Sequence, residues 1–226
     1  MHTIHLPDWA VERGRLLNHF RRIEPDRAAL LAIDMQNAFM RPGDVFANPH
    51  ACDIVPNING LAAAVRASGG AVIWTRQTIS PHAPFAYPDW QFDRSVPRVR
   101  EAMDALSDGA HGHDLHQDMD VHSTDLVLNK YRYSAFWPHP SQLGAELQAR
   151  AIDTLIITGT LTNCCCESTA RDANMLGYKV LFVSDATAAV TDDEHNAALL
   201  NLRIMFADVR STAEMSALIA DSARKA

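Results

Sequence analysis

Short apolar runs, each bounded by polar residues, Gly or Pro, recur along the chain: "RAALLAIDM" (27–35), "GAVIWTRQ" (70–77), "TDLVLNKY" (124–131), "DTLIITGT" (153–160) and "YKVLFVSDA" (178–186). Their length and near-continuous hydrophobicity predict strands buried on both faces. Between them the apolar period lengthens to that of helices, in "IVPNINGLAAAVRASGG", "PSQLGAELQARAI", "CESTARDANMLG" and "DEHNAALLNLRIMF". In the second of these, Leu143, Leu147 and Ile152 with the alanines can line one face, while Glu146, Gln148 and Arg150 face water.

Strands alternating with helices imply right-handed crossovers and a parallel sheet covered on both sides. A sixth short strand at "ADVRS" (207–211) and a terminal helix over "TAEMSALIADSARKA" (212–226) complete the pattern. The expected architecture is a single-domain, three-layer α/β/α fold of Rossmann-like type with a six-stranded parallel sheet. Residues 1–26 precede it as an N-terminal extension. Residues 78–122 break the rhythm: they are rich in Pro, His and Asp, with one helix expected at "VPRVREAMDAL". An insertion of that length covers a site or a subunit contact.

Open parallel sheets bind ligands beyond the carboxyl ends of their strands, where the strand order reverses. That rule selects Asp34 after the first strand, Gln77 after the second, Lys130 after the third, and the turn from Gly159 to Cys166 after the fourth.

Composition narrows the function. A chain of 226 residues with 47% apolar and 21% charged residues can bury a sizeable core. Its net charge of −7, with Lys and Arg scattered rather than in blocks, excludes a basic nucleic-acid face. The first 20 residues lack the basic start and apolar block of a signal peptide, and no run of about 18 apolar residues suggests a membrane span. A cytoplasmic protein acting on a small molecule, without nucleic acid or membrane partners, is expected.

Three of the four cysteines are consecutive, in "TGTLTNCCCESTARDA" (158–173), and Cys52 is distant. Neighbours on one backbone make a poorly aligned disulfide, and adjacent positions cannot converge tetrahedrally on zinc. The thiols are therefore read as reduced. A helix beginning near residue 165, with Glu167 in its first turn and Gly177 at its stop, places Cys165 where unpaired N–H groups and the positive dipole end lower a thiol pKa. Asp34 and Lys130 arrive at strand ends from opposite sides of that turn. A carboxylate beside an ammonium keeps its charge at neutral pH and can accept a thiol proton, so the three together form a Cys, Asp, Lys site with no histidine. Each residue also has a plain structural role open to it: the Asp as a helix cap, the Lys as a solvated terminus, the Cys as packing.

"LLAIDMQNAF", "LNKYRYSAF" and "ITGTLTNCCCESTARDA", in that order and at those separations, resemble the three signature segments of the isochorismatase-like cysteine hydrolases, over roughly residues 27–212. The resemblance makes Cys165 the nucleophile, Asp34 the general base and Lys130 its partner, and leaves Cys164 and Cys166 where small apolar residues are common. It also implies a non-proline cis peptide between Thr160 and Leu161, with the N–H groups of Leu161 and Cys165 forming an oxyanion hole. "KYRYSAF" and "ESTARDA" look most like the ureidoacrylate amidohydrolase branch. There an amide side chain after the second strand and a tyrosine three residues past the lysine contact the substrate; these correspond to Gln77, where the branch has asparagine, and Tyr133. The implied activity is hydrolysis of a C–N bond in a small amide, ureido or carbamoyl compound, with no cofactor, by a homodimer or homotetramer.

Other readings compete. A vinyl ether hydrolase of the isochorismatase type has the fold but lacks the nucleophilic cysteine, and nicotinamidases carry a D-x-H metal motif where this chain has "TRQTISPHAPF" (75–85). His111, His113, His116 and His122 suggest a metal cluster, but their spacing fits no standard pattern and a polar loop explains them. An inactive binding module would be favoured by loss of a triad member, and a redox sensor is disfavoured because adjacent cysteines make a poor switch. The aromatic stretch "PFAYPDWQF" (84–92) either lines the pocket mouth or fixes the insertion to the surface or another subunit.

Overall fold

The computed structural model describes residues 1–224. Six strands, β1 (Ala28–Ile33), β2 (Ala71–Gln77), β3 (Leu126–Lys130), β4 (Thr154–Thr160), β5 (Lys179–Ala188) and β6 (Asp208–Arg210), form one parallel sheet in the order β3-β2-β1-β4-β5-β6. All six lie on the predicted runs. The helices are α1 (Asp8–Leu17), α2 (Asn37–Met40), α3 (Val55–Ala67), α4 (Pro97–Ala105), α5 (Gln142–Ala149), α6 (Glu167–Met175), α7 (Asp192–Asn201) and α8 (Thr212–Ala223). The terminal helix was expected to run to residue 226; residues 225 and 226 lie outside the described residues.

The strand pleat divides the core into two layers. Leu30, Ala32, Val72, Trp74, Ile156, Leu181 and Val183 pack with Ile58, Leu61 and Val65 of α3 and Met215, Leu218 and Ile219 of α8. Ala29, Leu31, Ile33, Ile73, Leu155, Ile157 and Phe182 face the other way, toward Leu143 and Leu147 of α5, Ala170 and Ala173 of α6, and Leu199 of α7. Every residue of β1 is buried, as a central strand requires.

Three local expectations are corrected. Leu143, Leu147 and Ile152 are buried as read, but Ala145 and Ala149 point to solvent, because two turns of helix need only a narrow apolar stripe. Residues 8–17 form a helix that the apolar pattern did not announce. Its exposed Trp9, Leu16 and Leu17 blur the periodicity. Helical geometry after β4 begins at Thr162, not at 165: residues Thr162–Cys166 make a wide π-type turn that runs into α6.

The strand order fixes the site. β1 has β2 on one side and β4 on the other, so the chain winds outward in both directions and the reversal opens a crevice above their carboxyl ends. Asp34 leaves β1 there, and the cysteine turn leaves β4.

Candidate active site

Asp34 follows β1 with φ of 53°, a left-handed conformation that Asp tolerates better than most residues. Its backbone N–H donates to Thr75 O at 3.2 Å, which carries the β1–β2 ladder one residue further. The side chain is fully buried. Thr75 Oγ1 donates to Oδ1 at 2.9 Å, and Lys130 Nζ lies 2.7 Å from Oδ2. Oδ2 accepts no further hydrogen bond among the described residues, so a lone pair stays free for a proton.

Lys130, the last residue of β3, is also buried. Its ammonium donates to Gln77 Oε1, to Arg132 O at 3.1 Å and to Cys165 Sγ at 3.3 Å, besides pairing with Asp34. Burial alone would lower the pKa, but Asp34 and Cys165 outweigh it and the group is raised, so the lysine stays charged. A buried ammonium needs such a shell, since removing one partner leaves an uncompensated charge.

Cys165 sits on the wide turn with its sulfur buried. Thr169 Oγ1 donates to Cys165 O at 2.7 Å and accepts from Ala135 N at 3.1 Å, tying the turn to the chain just past β3. Leu161 O accepts from the N–H groups of Cys164 and Cys166, both at 3.1 Å. The peptide between Thr160 and Leu161 is cis.

The three sulfurs differ. Cys166 is fully buried among the residues under α6 and its thiol is pushed up by burial. Cys164 is half-buried and packs against that core. Cys164 and Cys165 share a hydrogen bond that pulls the first thiol down and pushes the second up; burial raises Cys165 further, against the pull of Lys130. This runs against the expected lowering at a helix start: Cys165 lies four residues into the helical turn, where burial and the Cys164 sulfur raise its thiol. Only Cys165 among the cysteines holds a hydrogen bond from Lys130, so this is the sulfur that geometry brings to the Asp34–Lys130 pair.

Gln77 reaches the site, but its carboxamide is engaged at both ends, accepting from Lys130 and donating to Tyr87 Oη at 3.3 Å. Tyr133 is 40% exposed, and its hydroxyl accepts from Gln91 Nε2 at 3.2 Å. Asp34, Lys130, Cys165 and Gln77 thus converge and Leu161 opens the cysteine turn, whereas Tyr133 is tied to Gln91 of the insertion and shares no hydrogen bond with the cluster among the described residues.

Sequence reasoning missed four residues. Thr75 orients Asp34. Gln36 Oε1 accepts from Gln77 N at 2.7 Å while its Nε2 donates to Gln77 O and His113 O, which joins the ends of β1 and β2 to the insertion. Arg132 donates to the carbonyls of Phe85, Tyr131 and Ala86 and lies over the rings of Tyr87 and Trp137, with 4.3 and 4.2 Å to their centroids. It clasps residues 85–87 to the end of β3. Tyr87 is the fourth. The aromatic stretch and "KYRY" were the only signals for the last two, and neither names a partner.

The insertion histidines do not converge. His113 is buried with Nε2 at 2.8 Å from Thr78 Oγ1, and His111, His116 and His122 each pair with a nearby aspartate. Among the described residues the one group with metal-like spacing is His2, His50 and Asp192. His2 Nε2 accepts from Ala189 N at 3.0 Å, so the proton sits on Nδ1, which donates to Asp192 Oδ1 at 2.7 Å. No lone pair of His2 is left for an ion.

Residues 28–214 match the isochorismatase domain family. The ureidoacrylate amidohydrolase RutB of Caulobacter vibrioides is 33% identical over 207 residues, covering 85% of this chain and 91% of that protein. A cysteine hydrolase from Pseudomonas syringae pv. phaseolicola superposes with a TM-score of 0.80 at 28% identity, over 91% of this chain and 98% of that one. An isochorismatase family protein from Desulfovibrio vulgaris superposes with a TM-score of 0.75 at 29% identity, over 86% and 98%. With the six-stranded sheet, relatives at one-third identity and a family match over most of its length, the chain belongs to the isochorismatase family and is a hydrolase.

Proposed function

We propose that the chain is a cysteine-dependent amidohydrolase that cleaves a C–N bond of a small amide, ureido or carbamoyl substrate through a thioester acyl-enzyme and releases ammonia. The observation that carries this reading is the buried contact of one ammonium with both the base and the nucleophile: Lys130 Nζ is 2.7 Å from Asp34 Oδ2 and 3.3 Å from Cys165 Sγ. Relatives at about one-third identity are named for the hydrolysis of ureidoacrylate, which supports the same bond type.

Cys165 rests as a thiol, so its deprotonation accompanies attack. Asp34 Oδ2 takes the proton as the sulfur forms a bond to the carbonyl carbon and the carbonyl electron pair moves onto oxygen. The N–H groups of Leu161 and Cys165 receive that oxyanion. The intermediate collapses, the C–N bond breaks, and the nitrogen takes the proton from Asp34 and leaves as ammonia. Water then gives a proton to Asp34 and attacks the thioester; the C–S bond breaks, sulfur regains the proton and the acid departs. Lys130 stays protonated throughout. It holds Asp34 in place and offsets negative charge as it passes between oxygen and sulfur. Gln77 and Tyr133 border the substrate, and a homodimer or homotetramer, read out by light scattering, belongs to the same proposal.

The test is ammonia release from ureidoacrylate, biuret, carbamoyl amino acids, nicotinamide and simple amides, by the wild type and Cys165→Ala side by side. Release from one class that disappears in the variant supports the reading. Equal release by both proteins removes the covalent mechanism, and silence of a folded wild type across the panel removes the substrate class.

A further inference from the structure

The hydrogen bonds that leave Lys130 run in one direction, and that direction can be followed to a side chain outside the triad. An ammonium has only protons to give, so the Gln77 atom facing Lys130 Nζ must be the carbonyl oxygen. The other end of that carboxamide is then the NH2 group, which donates to Tyr87 Oη at 3.3 Å. A hydroxyl that accepts there keeps its own proton for another acceptor, and the one hydrogen bond at Tyr87 Oη among the described residues is the one it accepts from Gln77. Burial raises the Tyr87 pKa to about 12, so the proton stays on at neutral pH. Through Gln77 the phenol is one side chain away from Lys130, whose ammonium in turn lies 3.3 Å from Cys165 Sγ.

The ring itself is held. Arg132 covers one face and Phe92 meets it edge-on, with 5.0 Å between centroids. Arg132 also bonds the carbonyls of Phe85 and Ala86, just before it in the chain. A donor built this rigidly at the edge of a reaction crevice is preorganised for an acceptor that arrives with a ligand.

We infer that Tyr87 is a specificity-determining residue whose O–H donates to a second oxygen of the substrate, beyond the scissile carbonyl, and that Gln77 is the positioning residue that forces this role. The substrate class narrows accordingly: ureido and carbamoyl compounds bearing a further carbonyl or carboxylate oxygen, in preference to simple alkyl ureas. This rests on the amidohydrolase reading, deepens it, and moves substrate selection from Gln77 to the insertion.

The experiment compares matched pairs, biuret with methylurea and N-carbamoylglycine with ethylurea, in the wild type and Tyr87→Phe. Phe keeps the ring contacts and removes only the donor. The ratio of kcat/KM within each pair should fall about tenfold, the size of one lost hydrogen bond to substrate; a ratio within twofold of wild type overturns the inference. A purely structural role would lower both members together and leave the ratio unchanged.

Gln77→Glu supplies an independent arm that keeps the tyrosine. A carboxylate at 77 accepts from both neighbours, turns the Tyr87 proton inward and should depress the same ratio. If the wild type hydrolyses none of these compounds, the Kd values of biuret and N-carbamoylglycine are measured on Cys165→Ala with and without Tyr87→Phe. A tenfold weakening then keeps the inference while the amidohydrolase reading fails; equal affinity, or no binding, overturns the inference as well.

Discussion

The Lys130 ammonium stands 3.3 Å from the Cys165 sulfur, with a carboxylate oxygen of Asp34 2.7 Å away on the same nitrogen. Asp34 is fully buried and Lys130 nearly so, and their worth to stability is therefore asymmetric. Lys130→Met leaves the carboxylate buried without a cation and should cost about 3–5 kcal/mol. Asp34→Asn with Lys130→Met together should cost less than Lys130→Met alone, because no charge is stranded. Urea unfolding of the two single variants and the double variant measures this, and all three should lose at least about 10²-fold in turnover.

Cys164 bears on the proton of its neighbour. The hydrogen bond between them raises the Cys165 thiol, so Cys164→Ala should lower the pH midpoint of Cys165 alkylation by iodoacetamide. Cys165→Ala should abolish turnover while thermal unfolding stays within a few degrees of wild type. If Cys164→Ala proves to be the inactive variant instead, the nucleophile has been assigned one residue too late.

Thr75→Val tests the orientation of the base. It keeps the shape of a buried side chain but removes the 2.9 Å hydrogen bond to Asp34 Oδ1. A cost near 1 kcal/mol in stability and roughly tenfold in kcat, with KM little changed, is expected, since Thr75 is buried and acts through Asp34.

His195 couples stability to pH. It is fully buried, with Nδ1 2.9 Å from Thr162 Oγ1 at the head of the cysteine turn and His2 stacked on it at 4.2 Å. Burial lowers its pKa to about 4, helped by His2 and His50 and opposed by the Ser184 backbone and Asp192. The unfolded chain protonates near pH 6.5 and the folded one only near 4, so the unfolded state binds the extra proton between them. The stability that His195 contributes is complete above about pH 6.5 and declines as pH falls toward 4, by roughly 3 kcal/mol in all. His195→Gln should flatten that limb in a series of thermal melts from pH 7 to 4.

Gly159 separates the two halves of the site. It pairs with Ile33 in the ladder, one residue before Asp34, and has φ of 109°. A Cβ there would overlap the Ile33 backbone. Gly159→Ala should cost more than about 3 kcal/mol and push Asp34 away from the cysteine turn. Gly177→Ala is the control: its φ is 90° but the space around it is open, so about 1 kcal/mol is expected from backbone strain alone.

The strands were legible because each is a short apolar run between breakers, and a buried parallel strand leaves that mark whatever surrounds it. Asp34, Lys130 and the cysteine turn were legible for a related reason: strand ends in such a sheet face one crevice, and three motifs at set separations resemble one family. Helix α1 was not, since its exposed tryptophan and leucines break the pattern that would have announced it.

The amino-acid sequence by itself determined the layers and the strand ends at which Asp34, Lys130 and the cysteine turn stand, because periodicity and spacing along the chain are local quantities. The tertiary structure decided what those residues do to one another. That Gln77 holds Lys130, that Arg132 clasps the insertion, that Thr75 aims Asp34 and that Tyr87 is left with a proton to give all depend on contacts between atoms far apart in sequence. The protonation of Cys165 follows the same rule. A helix start predicts a lowered thiol, but burial and a neighbouring sulfur raise it, and only packing in three dimensions sets which of these wins.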